Sequence, residues 1–476
     1  MTIILGGGIS GLSAAYYAAK NAKITSINLL EASNRLGGWI RSRVSPNGAV
    51  FEQGPRTIRL VGAAGKNTLD LVEDLQLTDK LIHIELNHPA VKNRLIYSDE
   101  ILHLLPTSLA GFFKTTSLLN RSLISCIWSD LRAPKVSKED ESIHSFFQRR
   151  FGQDVADNLI SPIICGICAG DAREISVKFL FKSLFEAEQE HGSVVKGMLL
   201  NRLQRSKKGD SAGTSDAESA VPHGGLAARA QAKRWTSWGL QGGLEQLPQT
   251  LADSLKERGV EIQTGKKCEK LTFKPDHVEL SVNSGGTREC SRVISSICAK
   301  DLAELVQEQH PTLSAELKAI PTVTVAVVNL EFQENVLPLQ AFGFLIPPKE
   351  NLPLLGVIFD SCVFPQKSTV LTVMMGGAWF EKYFGPNPTE EQLLKTATDH
   401  TRDILCIEEE PVARNVAILK DCIPQHVVGH TQRVKRIREY IFEHRIPLGL
   451  CGSSYDGVGL NDVILSAKQV VRDIVK

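Results

Sequence analysis

Three glycines close to the start of the chain have the spacing of a turn that binds the pyrophosphate of a dinucleotide. Gly6, Gly8 and Gly11 follow the apolar run Ile3–Leu5 and precede alanine-rich sequence that favours a helix. Such glycines allow a tight turn, a close approach of the backbone to the pyrophosphate, and close packing of helix on strand. The new helix directs unpaired N–H groups at the anion. Because glycine-rich turns also occur in plain loops, the motif needs support from its surroundings.

An acidic residue follows at the separation that a ribose contact requires. The run Ile24–Leu30 predicts a second buried strand, and Glu31 comes directly after it, twenty positions after Gly11. A carboxylate there can accept hydrogen bonds from ribose hydroxyls and disfavours a 2′-phosphate. The sequence therefore predicts a strand, a turn and a helix that hold a dinucleotide without a 2′-phosphate.

Two further motifs resemble the FAD-binding start of the flavin amine oxidase superfamily. Residues 31–38 read EASNRLGG, which is E-x-x-x-R-x-G-G, and residues 51–56 read FEQGPR. In that superfamily the Arg-x-Gly-Gly turn lies against the cofactor, whereas a nicotinamide dehydrogenase has no need of this extension. The resemblance implies FAD. Since no cysteine stands in a flavin-linking sequence, we expect the FAD to be bound non-covalently.

Composition is that of an ordinary globular protein. The chain has 476 residues, of which 42% are hydrophobic and 22% charged, and a net charge of +1. This length predicts two or three packed domains, and the near-neutral charge argues against a nucleic-acid partner. Ten thinly spread cysteines without a secretory signal predict reduced thiols. Glycines in the uncharged run Thr2–Ala19 argue against a membrane span, and a cofactor motif so close to the first residue predicts no cleaved presequence.

The middle of the chain, about residues 60–200, has helical character. Its most apolar part is Ile101–Trp128, which a proline and two basic residues interrupt, so it does not predict a span. A patch that lies on a membrane surface and simple packing against another domain are both consistent with it. Residues 205–233, rich in Gly, Ser, Ala and charged residues, predict a mobile surface loop without chemistry.

The second half of the chain predicts a strand-rich unit between two returns to the nucleotide-binding sheet. Residues 238–271 predict a glycine turn, an amphipathic helix and a short strand that ends near Cys268, and the run 292–300 predicts the next strand. Residues 322–375 contain four β-like runs, TVTVAVVNLEF, GFLIPP, LLGVIFDS and TVLTVMMGG. A buried strand up to Gly452, a glycine turn and an amphipathic helix from about Asn461 end the chain.

Nine stretches spread over nearly the whole chain are together similar to one branch of this superfamily, the oxygen-dependent, animal-type protoporphyrinogen oxidases. In chain order they are GGGISGL, NRLGGWIRS, GPRTIR, HPAVKNRLIY, CGICAGDAREIS, LFEAEQEHGS, WGLQGGLEQLP, CIPQHVVGH and GSSYDGVGLND. The colinear set makes the resemblance specific, although no single stretch would. That family usually has an aromatic residue at the position of His426, alanine at that of Ser453, and another residue near Cys165.

The resemblance implies an α/β fold, mixed α+β in detail, with three units. These are a Rossmann-like FAD-binding domain, a sheet-based substrate domain and a helical membrane-binding domain. The implied boundaries are 1–85, 235–300 and 436–476 for the FAD-binding domain, 86–200 for the helical membrane-binding and substrate-entry domain, 201–234 for a flexible loop and 301–435 for the substrate-binding domain. The C-terminal turn and helix would face flavin N1 and the C2 carbonyl, where negative charge develops on reduction.

The resemblance also implies a reaction and a location. FAD would oxidise protoporphyrinogen IX to protoporphyrin IX in three two-electron steps and pass each electron pair to O₂, giving hydrogen peroxide, in the penultimate step of heme biosynthesis. Aromatisation supplies driving force, so a strongly basic side chain is not obligatory; we identify no catalytic acid or base, and the protein mainly positions a bridge carbon at flavin N5. We expect a homodimer bound peripherally to the mitochondrial inner membrane, on the intermembrane-space side, with ferrochelatase as a candidate partner.

Residue by residue, the resemblance assigns a substrate slot and a cofactor cradle. Arg94 matches an arginine that holds a substrate propionate, and the backbone of Gly166 would face the macrocycle. The apolar slot would involve Phe342, Leu345, Ile358 and Met374. A solvated loop position for Arg94 and ordinary core positions for the apolar residues stay open. The implied cofactor contacts are Gly6, Gly7, Gly8, Ile9, Ser10, Gly11, Glu31, Arg35, Gly38, Trp39, Gly54, Pro55, Arg56, Thr57, Cys268, Ser453, Val458, Gly459 and Leu460.

Two patterns suggest other chemistry but lack its context. Cys165 and Cys168 form C-x-x-C, yet no second pair stands at zinc-ribbon spacing and the neighbours are apolar. His426 and His430 are four residues apart, but a nearby proline and glycine argue against a shared helix, and the glutamate of H-E-x-x-H is absent. We therefore expect no metal site, and structural roles for the two histidines.

Two other functions remain open. An oxidase of polyamines or carotenoids is the first, although the chain has only six Tyr and five Trp and lacks the usual aromatic pair before the last glycine turn. A flavin-binding scaffold that hands porphyrin to a neighbouring enzyme without catalysis is the second. Peroxide release from spermine would indicate the first function, and FAD binding without oxygen uptake on porphyrinogen would indicate the second.

Overall fold

The structure is a computed structural model that describes residues 1–60, 62–106, 115–116, 118–119, 121–207, 225–283 and 285–475. The strands in these ranges are β1 (Thr2–Leu5), β2 (Ile27–Leu30), β3 (Ser42–Val44), β4 (Val50–Glu52), β5 (Ile58–Arg59), β6 (Leu81–Glu85), β7 (Leu95–Ser98), β8 (Ile101–Leu104), β9 (Thr115–Thr116), β10 (Arg121–Ser122), β11 (Trp235–Leu240), β12 (Glu261–Gln263), β13 (Cys268–Phe273), β14 (Val278–Val282), β15 (Thr287–Cys290), β16 (Arg292–Ser295), β17 (Thr322–Phe332), β18 (Gly343–Leu345), β19 (Leu354–Phe359), β20 (Thr369–Gly377), β21 (Ala413–Pro424) and β22 (Leu448–Leu450).

The helices in the same ranges are α1 (Ile9–Ala19), α2 (Gly62–Asp74), α3 (Pro89–Lys92), α4 (Leu123–Arg132), α5 (Ile143–Phe151), α6 (Ser161–Cys168), α7 (Val177–Leu180), α8 (Lys182–His191), α9 (Val194–Lys207), α10 (Leu226–Ala232), α11 (Gln246–Glu257), α12 (Ala299–Val306), α13 (Pro311–Lys318), α14 (Asp360–Val363), α15 (Phe380–Phe384), α16 (Glu390–Leu405), α17 (His430–Glu443) and α18 (Leu460–Val475). A π-helical segment, Val155–Ile160, precedes α6.

Five parallel strands from three separate parts of the chain form the nucleotide-binding sheet, in the order β12–β2–β1–β16–β22. β1 pairs with β2 on one side and with β16 on the other, and β16 pairs with β22. Because both faces of this sheet are covered, β1 and β2 are buried along their whole length, and β16 is buried after its first residue. Helices α1, α2, α11 and α18 cover one face. The sheet β13–β14–β15 covers the other face, together with α12, α13 and α17.

A seven-stranded sheet forms the second large unit, in the order β21–β17–β20–β19–β18–β7–β8. Neighbouring strands are antiparallel except for β18 and β7, which are parallel. One face packs on α15 and α16, and the other face packs on α6. The four strands expected between residues 322 and 375 are confirmed as β17 to β20. The longest strand, β21, lies outside the predicted set.

Two smaller sheets connect these units. β3 and β4 form an antiparallel hairpin, and β5, β11 and β6 form a three-stranded antiparallel sheet. In the three-stranded sheet Arg59 lies opposite Ser237, which in turn lies opposite Ile84. The chain thus leaves the nucleotide-binding sheet through the hairpin and reaches a second, small sheet before the helical region begins.

The middle of the chain is not helical throughout, contrary to the prediction. β7 and β8 extend the seven-stranded sheet, where Leu95 and Ile96 are almost fully buried. Helical structure dominates from α4 to α9, around a core that includes Phe146, Ile164 and Val177. Within the described residues no helix is both long and apolar enough to cross a membrane.

Parts of two sequence-based predictions lie outside the described residues. Positions 107–114, 117 and 120 belong to the apolar stretch Ile101–Trp128, and positions 208–224 belong to the expected loop. Of the described part of the apolar stretch, Leu118 and Leu119 are only 5% and 3% exposed. At these two leucines the stretch packs in the core, which is the second of the two alternatives that the sequence left open.

Three element boundaries differ from the predictions by a few residues. The second strand is Ile27–Leu30, because residues 21–24 form a turn after α1. The strand after α11 ends at Gln263, opposite Leu30, and Cys268 instead begins β13 in a different sheet. The last helix begins at Leu460.

Candidate functional site

In the first glycine turn, Gly6 and Gly11 lie where a side chain does not fit, whereas Gly8 faces open space. Gly6 has φ +102°, and a Cβ on Gly11 would lie 1.9 Å from the carbonyl oxygen of Gly6. Gly8 is the N-cap of α1, and a Cβ there would meet no atom nearer than 3.8 Å. Ile9 and Ser10 are buried in the first turn of that helix. The turn is therefore closed towards the sheet and open above the helix N-terminus, as a pyrophosphate requires.

The carboxylate of Glu31 lies beside this turn, at the carboxyl end of β2. Its Oε2 accepts a hydrogen bond from the backbone N–H of Gly7 at 2.6 Å, and its Oε1 accepts one from that of Ser33 at 2.8 Å. Two backbone donors thus hold the side chain at the edge of the sheet. A carboxylate has about four lone-pair sites, so acceptors remain for ribose hydroxyls.

The Arg-x-Gly-Gly turn packs on the first turn through its backbone. The N–H of Gly37 donates to the carbonyl of Gly7 at 2.9 Å, and a Cβ on Gly38 would lie 3.0 Å from the Cα of Gly8. The guanidinium of Arg35 donates to three carbonyl oxygens of its own turn. Arg35 therefore shapes this turn, while a direct contact of its side chain with the cofactor stays a prediction.

The segment Gly54–Thr57 lies beside the same turn. A Cβ on Gly54 would lie 2.0 Å from the carbonyl oxygen of Trp39, so only glycine allows this approach. The Trp39 side chain itself is 46% exposed. Pro55 is half-buried, and Thr57 lines a small cavity described below.

Arg56 has an unusual environment, because its guanidinium is buried and incompletely satisfied. The residue is 5% exposed, and its Nε lies 3.4 Å from Oδ1 of Asp360, which is 3% exposed. Among the described residues, Nε and Nη1 of Arg56 have no hydrogen-bond partner. Buried donors without partners are uncommon in proteins and indicate a missing acceptor. The open glycine cradle and these unsatisfied donors fit a bound dinucleotide with acceptor atoms on its distal ring.

A chain of buried polar groups continues from Asp360 into the seven-stranded sheet. Thr372 donates its hydroxyl hydrogen to Oδ2 of Asp360 and accepts a hydrogen bond from Nδ2 of Asn329 at 2.8 Å. Burial raises the pKa of Asp360 although Arg56 opposes this effect. Nearby, burial raises the pKa of Glu52 to about 7. Asn329 and Thr372 are polar residues in the otherwise apolar strands β17 and β20, and that contrast is a sequence signal that could reveal them.

The C-terminal turn closes the site from the opposite side. A Cβ on Gly452 would lie 3.5 Å from Oγ of Ser10, which donates to the carbonyl of Val463 at 3.3 Å. The carbonyl of Ser453 accepts a hydrogen bond from Nε2 of His426 at 2.9 Å. The structure therefore brings the first and last glycine turns of the chain together.

The other residues predicted to contact the cofactor, in this turn and at Cys268, lie in different surroundings. Val458 packs on the helical core, and Leu460 packs on the core beneath the nucleotide-binding sheet. The carbonyl of Gly459 accepts from the N–H of Asp462 at 3.0 Å, which begins α18. The Cys268 side chain points into the core below β13, and burial raises the pKa of its thiol to about 12. Only its backbone could therefore contact a cofactor.

Three of the predicted slot residues share one region of the seven-stranded sheet, on the face that packs on α6. Leu345 lies opposite Gly356, and Gly356 lies opposite Met374. Ile358 follows two residues after Gly356 on the same face of β19. All three apolar side chains are half-buried rather than in the core. These side chains are thus less buried than the core residues of the same sheet, and their contact with a substrate stays a prediction.

Gly166 covers part of this face from α6. It is exposed, and a Cβ on it would lie 2.8 Å from Cδ2 of Leu345. The prediction that Gly166 lies by the slot residues therefore agrees with the geometry, since a larger residue would have to displace Leu345. Contact of its backbone with a substrate stays a prediction.

Phe342 and Arg94 lie together at the end of the slot. Phe342 packs on Ile84, Ala90 and Val363 in a small separate cluster. The guanidinium carbon of Arg94 lies 5.6 Å from the centre of the Phe342 ring. Among the described residues no carboxylate forms an ion pair with Arg94, so its charge is available to an anion.

The cysteine pair and the histidine pair, which suggested other chemistry, are both buried. Burial raises the pKa of Cys165 strongly and that of Cys168 to about 11, the opposite of what a reactive thiolate requires. Burial lowers the pKa of His426 to about 4 and that of His430 to about 3. Each histidine donates Nε2–H to a backbone carbonyl near the last glycine turn. His430 begins α17 while His426 precedes it, so they do not share a helix.

A family model matches nearly the whole chain. The model for flavin-containing amine oxidoreductases matches residues 9–475. The chain belongs to this family. It is therefore an oxidoreductase of mixed α/β fold, and its cofactor is FAD.

Individual relatives are similar over the full length. The chain is 38% identical to the protoporphyrinogen oxidase of Homo sapiens over 480 residues, which cover 99% of this chain and 98% of the relative. It is 33% identical to the protoporphyrinogen oxidase of Schizosaccharomyces pombe over 498 residues, with 99% and 98% covered. A solved structure from Exiguobacterium sp. 255-15, provisionally named a protoporphyrinogen oxidase, matches with a TM-score of 0.78 at 24% identity and covers 99% of this chain and 98% of that chain. That match concerns the fold alone.

Proposed function

We propose that this flavoprotein oxidises protoporphyrinogen IX to protoporphyrin IX in heme biosynthesis. The observation that carries the proposal is the apolar face of the seven-stranded sheet, which ends at an arginine without an ion-pair partner among the described residues. The substrate is a large apolar macrocycle with two propionates, so it requires an apolar slot and a cation at one edge. The similarity to named protoporphyrinogen oxidases over nearly the full chain supports the same conclusion.

The work of the protein in this reaction is positioning. FAD supplies the two-electron oxidation when it is bound, and we propose three such steps with O₂ as the acceptor and hydrogen peroxide as the product. Leu345, Ile358 and Met374 provide an apolar surface for the macrocycle and exclude water from it. Arg94 holds a propionate, which sets the position of the bridge carbons. Each step also releases one proton, which we propose passes to solvent; because aromatisation of the macrocycle drives the reaction, no strongly basic side chain is required.

We propose a peripheral contact with a membrane at two packed helices. α4 exposes Ile127, Trp128 and Leu131, and α9 exposes Met198, Leu199 and Leu203, each between 37% and 59%. On each helix these residues form one stripe, as expected of a face that meets an apolar surface. We define these six residues as the apolar patch. Ile127 and Trp128 end the apolar stretch Ile101–Trp128, whereas Leu118 and Leu119 of that stretch are buried.

The proposal extends to assembly and location on the strength of the sequence resemblance. It comprises a homodimer, the mitochondrial inner membrane on its intermembrane-space side, and transfer of the product to ferrochelatase. The domain boundaries are also part of the proposal. Because β7 and β8 belong to the seven-stranded sheet, we propose that residues 95–104 belong to the substrate-binding domain.

An oxygen-uptake assay with the purified flavoprotein tests the function. Protoporphyrinogen IX should produce oxygen uptake together with red porphyrin fluorescence, whereas spermine should produce neither. Uptake on spermine alone would indicate an amine oxidase. Bound FAD without uptake on either substrate would indicate a scaffold, and both results would contradict the proposal. Acid precipitation of the same sample should release all the flavin to the supernatant, since we propose non-covalent binding.

A further inference from the structure

A small cavity next to the site contains two arginines, of which the sequence analysis singled out only one. The cavity has a volume of about 30 Å³ and lies between the three-stranded sheet and α3. Arg59, Ser237 and Ile84 lie opposite one another on β5, β11 and β6, and all three line it. Since directly opposed residues share a face of a sheet, the register itself directs Arg59 into the cavity. Arg94 and Phe342 line the other side.

The two arginine side chains line the same cavity, are open to solvent on one side and lack counter-charges. Among the residues that the structure describes, neither Arg59 nor Arg94 has a carboxylate within ion-pair distance, and neither side chain donates a hydrogen bond to the protein. Partial burial and the neighbouring charge of Arg59 lower the pKa of Arg94. By contrast, Arg436 and Arg438 on α17 each pair with a carboxylate. Two unneutralised cations that line one recess make its electrostatic potential positive and so attract an anion.

We infer that Arg59 and Arg94 together bind a dianionic substrate, one carboxylate on each guanidinium. This inference rests on the proposed function and extends it, because it makes the number of carboxylates a condition of recognition. A single carboxylate would neutralise one arginine and leave the other charge unpaired. The preferred substrate class is therefore a macrocycle with two neighbouring propionates, and esters of either propionate are disfavoured.

Arg59 is also fixed relative to the cofactor cradle. Its carbonyl accepts a hydrogen bond from Nδ2 of Asn461 at 2.7 Å, at the start of α18 and directly after the last glycine turn. Arg59 itself follows three residues after the buried Arg56. A carboxylate on Arg59 is thus held at a defined place relative to the cradle, so the second anchor orients the macrocycle as well as binding it.

The experiment compares four variants of the FAD-loaded enzyme on three substrates. The variants are Arg59→Gln, Arg94→Gln, the double variant, and Lys92→Gln, which removes a charge from α3 outside the cavity. The substrates are protoporphyrinogen IX, its monomethyl ester and its dimethyl ester. Initial rates give KM and kcat, and quenching of porphyrin fluorescence gives the Kd of protoporphyrin IX on the oxidised enzyme. Flavin content and thermal midpoint report on folding.

We expect each single arginine variant to raise the KM for the diacid, and the Kd for the porphyrin, about tenfold, and the double variant about a hundredfold. Flavin content and thermal midpoint should match those of wild type. The kcat for the diacid should fall in the arginine variants, because the macrocycle is oriented less well, and Lys92→Gln should resemble wild type. Wild type on the monoester should resemble Arg59→Gln on the diacid. On the dimethyl ester the differences between the arginine variants and wild type should fall to within twofold.

Three results would overturn the inference while the proposed function stands. The first is a diacid KM for Arg59→Gln equal to that of Lys92→Gln. The second is an equal loss on diacid and dimethyl ester, which would make Arg59 structural. The third is an equal wild-type KM for diacid and monoester, which would mean that the two arginines share one carboxylate. If wild type oxidises none of the three substrates, the proposed function is wrong and the inference is wrong with it.

Discussion

Glu52 shows how one buried carboxyl group makes the stability of the protein depend on pH. Burial raises its pKa from 4.5 to about 7, although the backbone N–H of Leu244 and the hydroxyl of Ser42 donate to it. Between these two pH values the folded chain binds the proton more strongly than the unfolded chain does. The stabilising contribution of Glu52 to the free energy of unfolding is therefore fully present below pH 4.5 and is lost as the pH rises to about 7.

The variant Glu52→Gln should remove this dependence; its Oε1 can still accept from the N–H of Leu244, whereas its amide NH2 has to donate to the hydroxyl of Ser42, which reverses that bond. From pH 4.5 to pH 8, the free energy of unfolding of wild type should fall relative to that of the variant by up to about 3 kcal/mol. Urea unfolding of the FAD-loaded proteins at several pH values measures the difference. Curves that remain parallel across this range would show that Glu52 does not carry a raised pKa.

Adding one methyl group at Gly11 tests whether the first glycine turn binds the cofactor. The variant Gly11→Ala places a Cβ 1.9 Å from the carbonyl oxygen of Gly6, so the turn has to open. We expect the purified variant to lose most of its flavin, as measured by the ratio of flavin to protein absorbance. Ala19→Gly weakens the other end of α1 by about 1 kcal/mol without touching the turn and serves as the control. Full flavin content in Gly11→Ala would contradict the assignment of this turn.

At the scale of elements, the sequence predicts whether a segment is a strand or a helix better than it predicts which strand pairs with which. The runs that became β17 and β20 are long, apolar and rich in β-branched residues, so their type follows from local composition. β7 is equally apolar, yet its parallel partner β18 lies more than two hundred residues away. Pairing across such a distance depends on the whole fold, which no local pattern contains.

The apolar patch gives a prediction for two helices. The double variant Trp128→Ser/Leu131→Ser should lower partition into liposomes by more than tenfold, because each side chain contributes about 1.5–3 kcal/mol when it leaves water. Activity in detergent should remain near that of wild type. Phe442→Ser removes a side chain that is 83% exposed on α17, outside the patch, and is the matched control. Equal partition of the double variant and the control would show that the patch is not the membrane contact.

At the scale of the molecule, the ion pair between Arg56 and Asp360 joins the two large units. Arg56 follows the hairpin of the nucleotide-binding region, and Asp360 begins α14 at the end of a strand of the seven-stranded sheet. Removal of one partner leaves a buried charge, so Asp360→Ala should lower the free energy of unfolding at pH 8 by about 3–5 kcal/mol. Urea unfolding measures this loss, and Asp253→Ala on the exposed surface of α11 is the control. A loss below about 1 kcal/mol would mean that the pair does not hold the units together.

The same pair shows which part of the site the sequence could reveal. The glycine turns and Glu31 were found because the chemistry of a dinucleotide requires those residue types at fixed spacings within a short segment. Asp360 and Arg59 carry no such spacing. Their roles become visible only in the folded chain, where Asp360 lies beside Arg56 and Arg59 lines the same cavity as Arg94.

The order of strands in the nucleotide-binding sheet also has a consequence for the life of the newly made chain. The first strand pairs with residues 292–295, and those pair with residues 448–450. While the ribosome is still translating the intervening segments, the first strand keeps an apolar edge without a partner, which is an opportunity for aggregation. The turn at residues 452–460 is synthesised later still. We therefore expect stable cofactor binding only after the last strand and turn have been synthesised, with the unpaired edge at risk of aggregation until then.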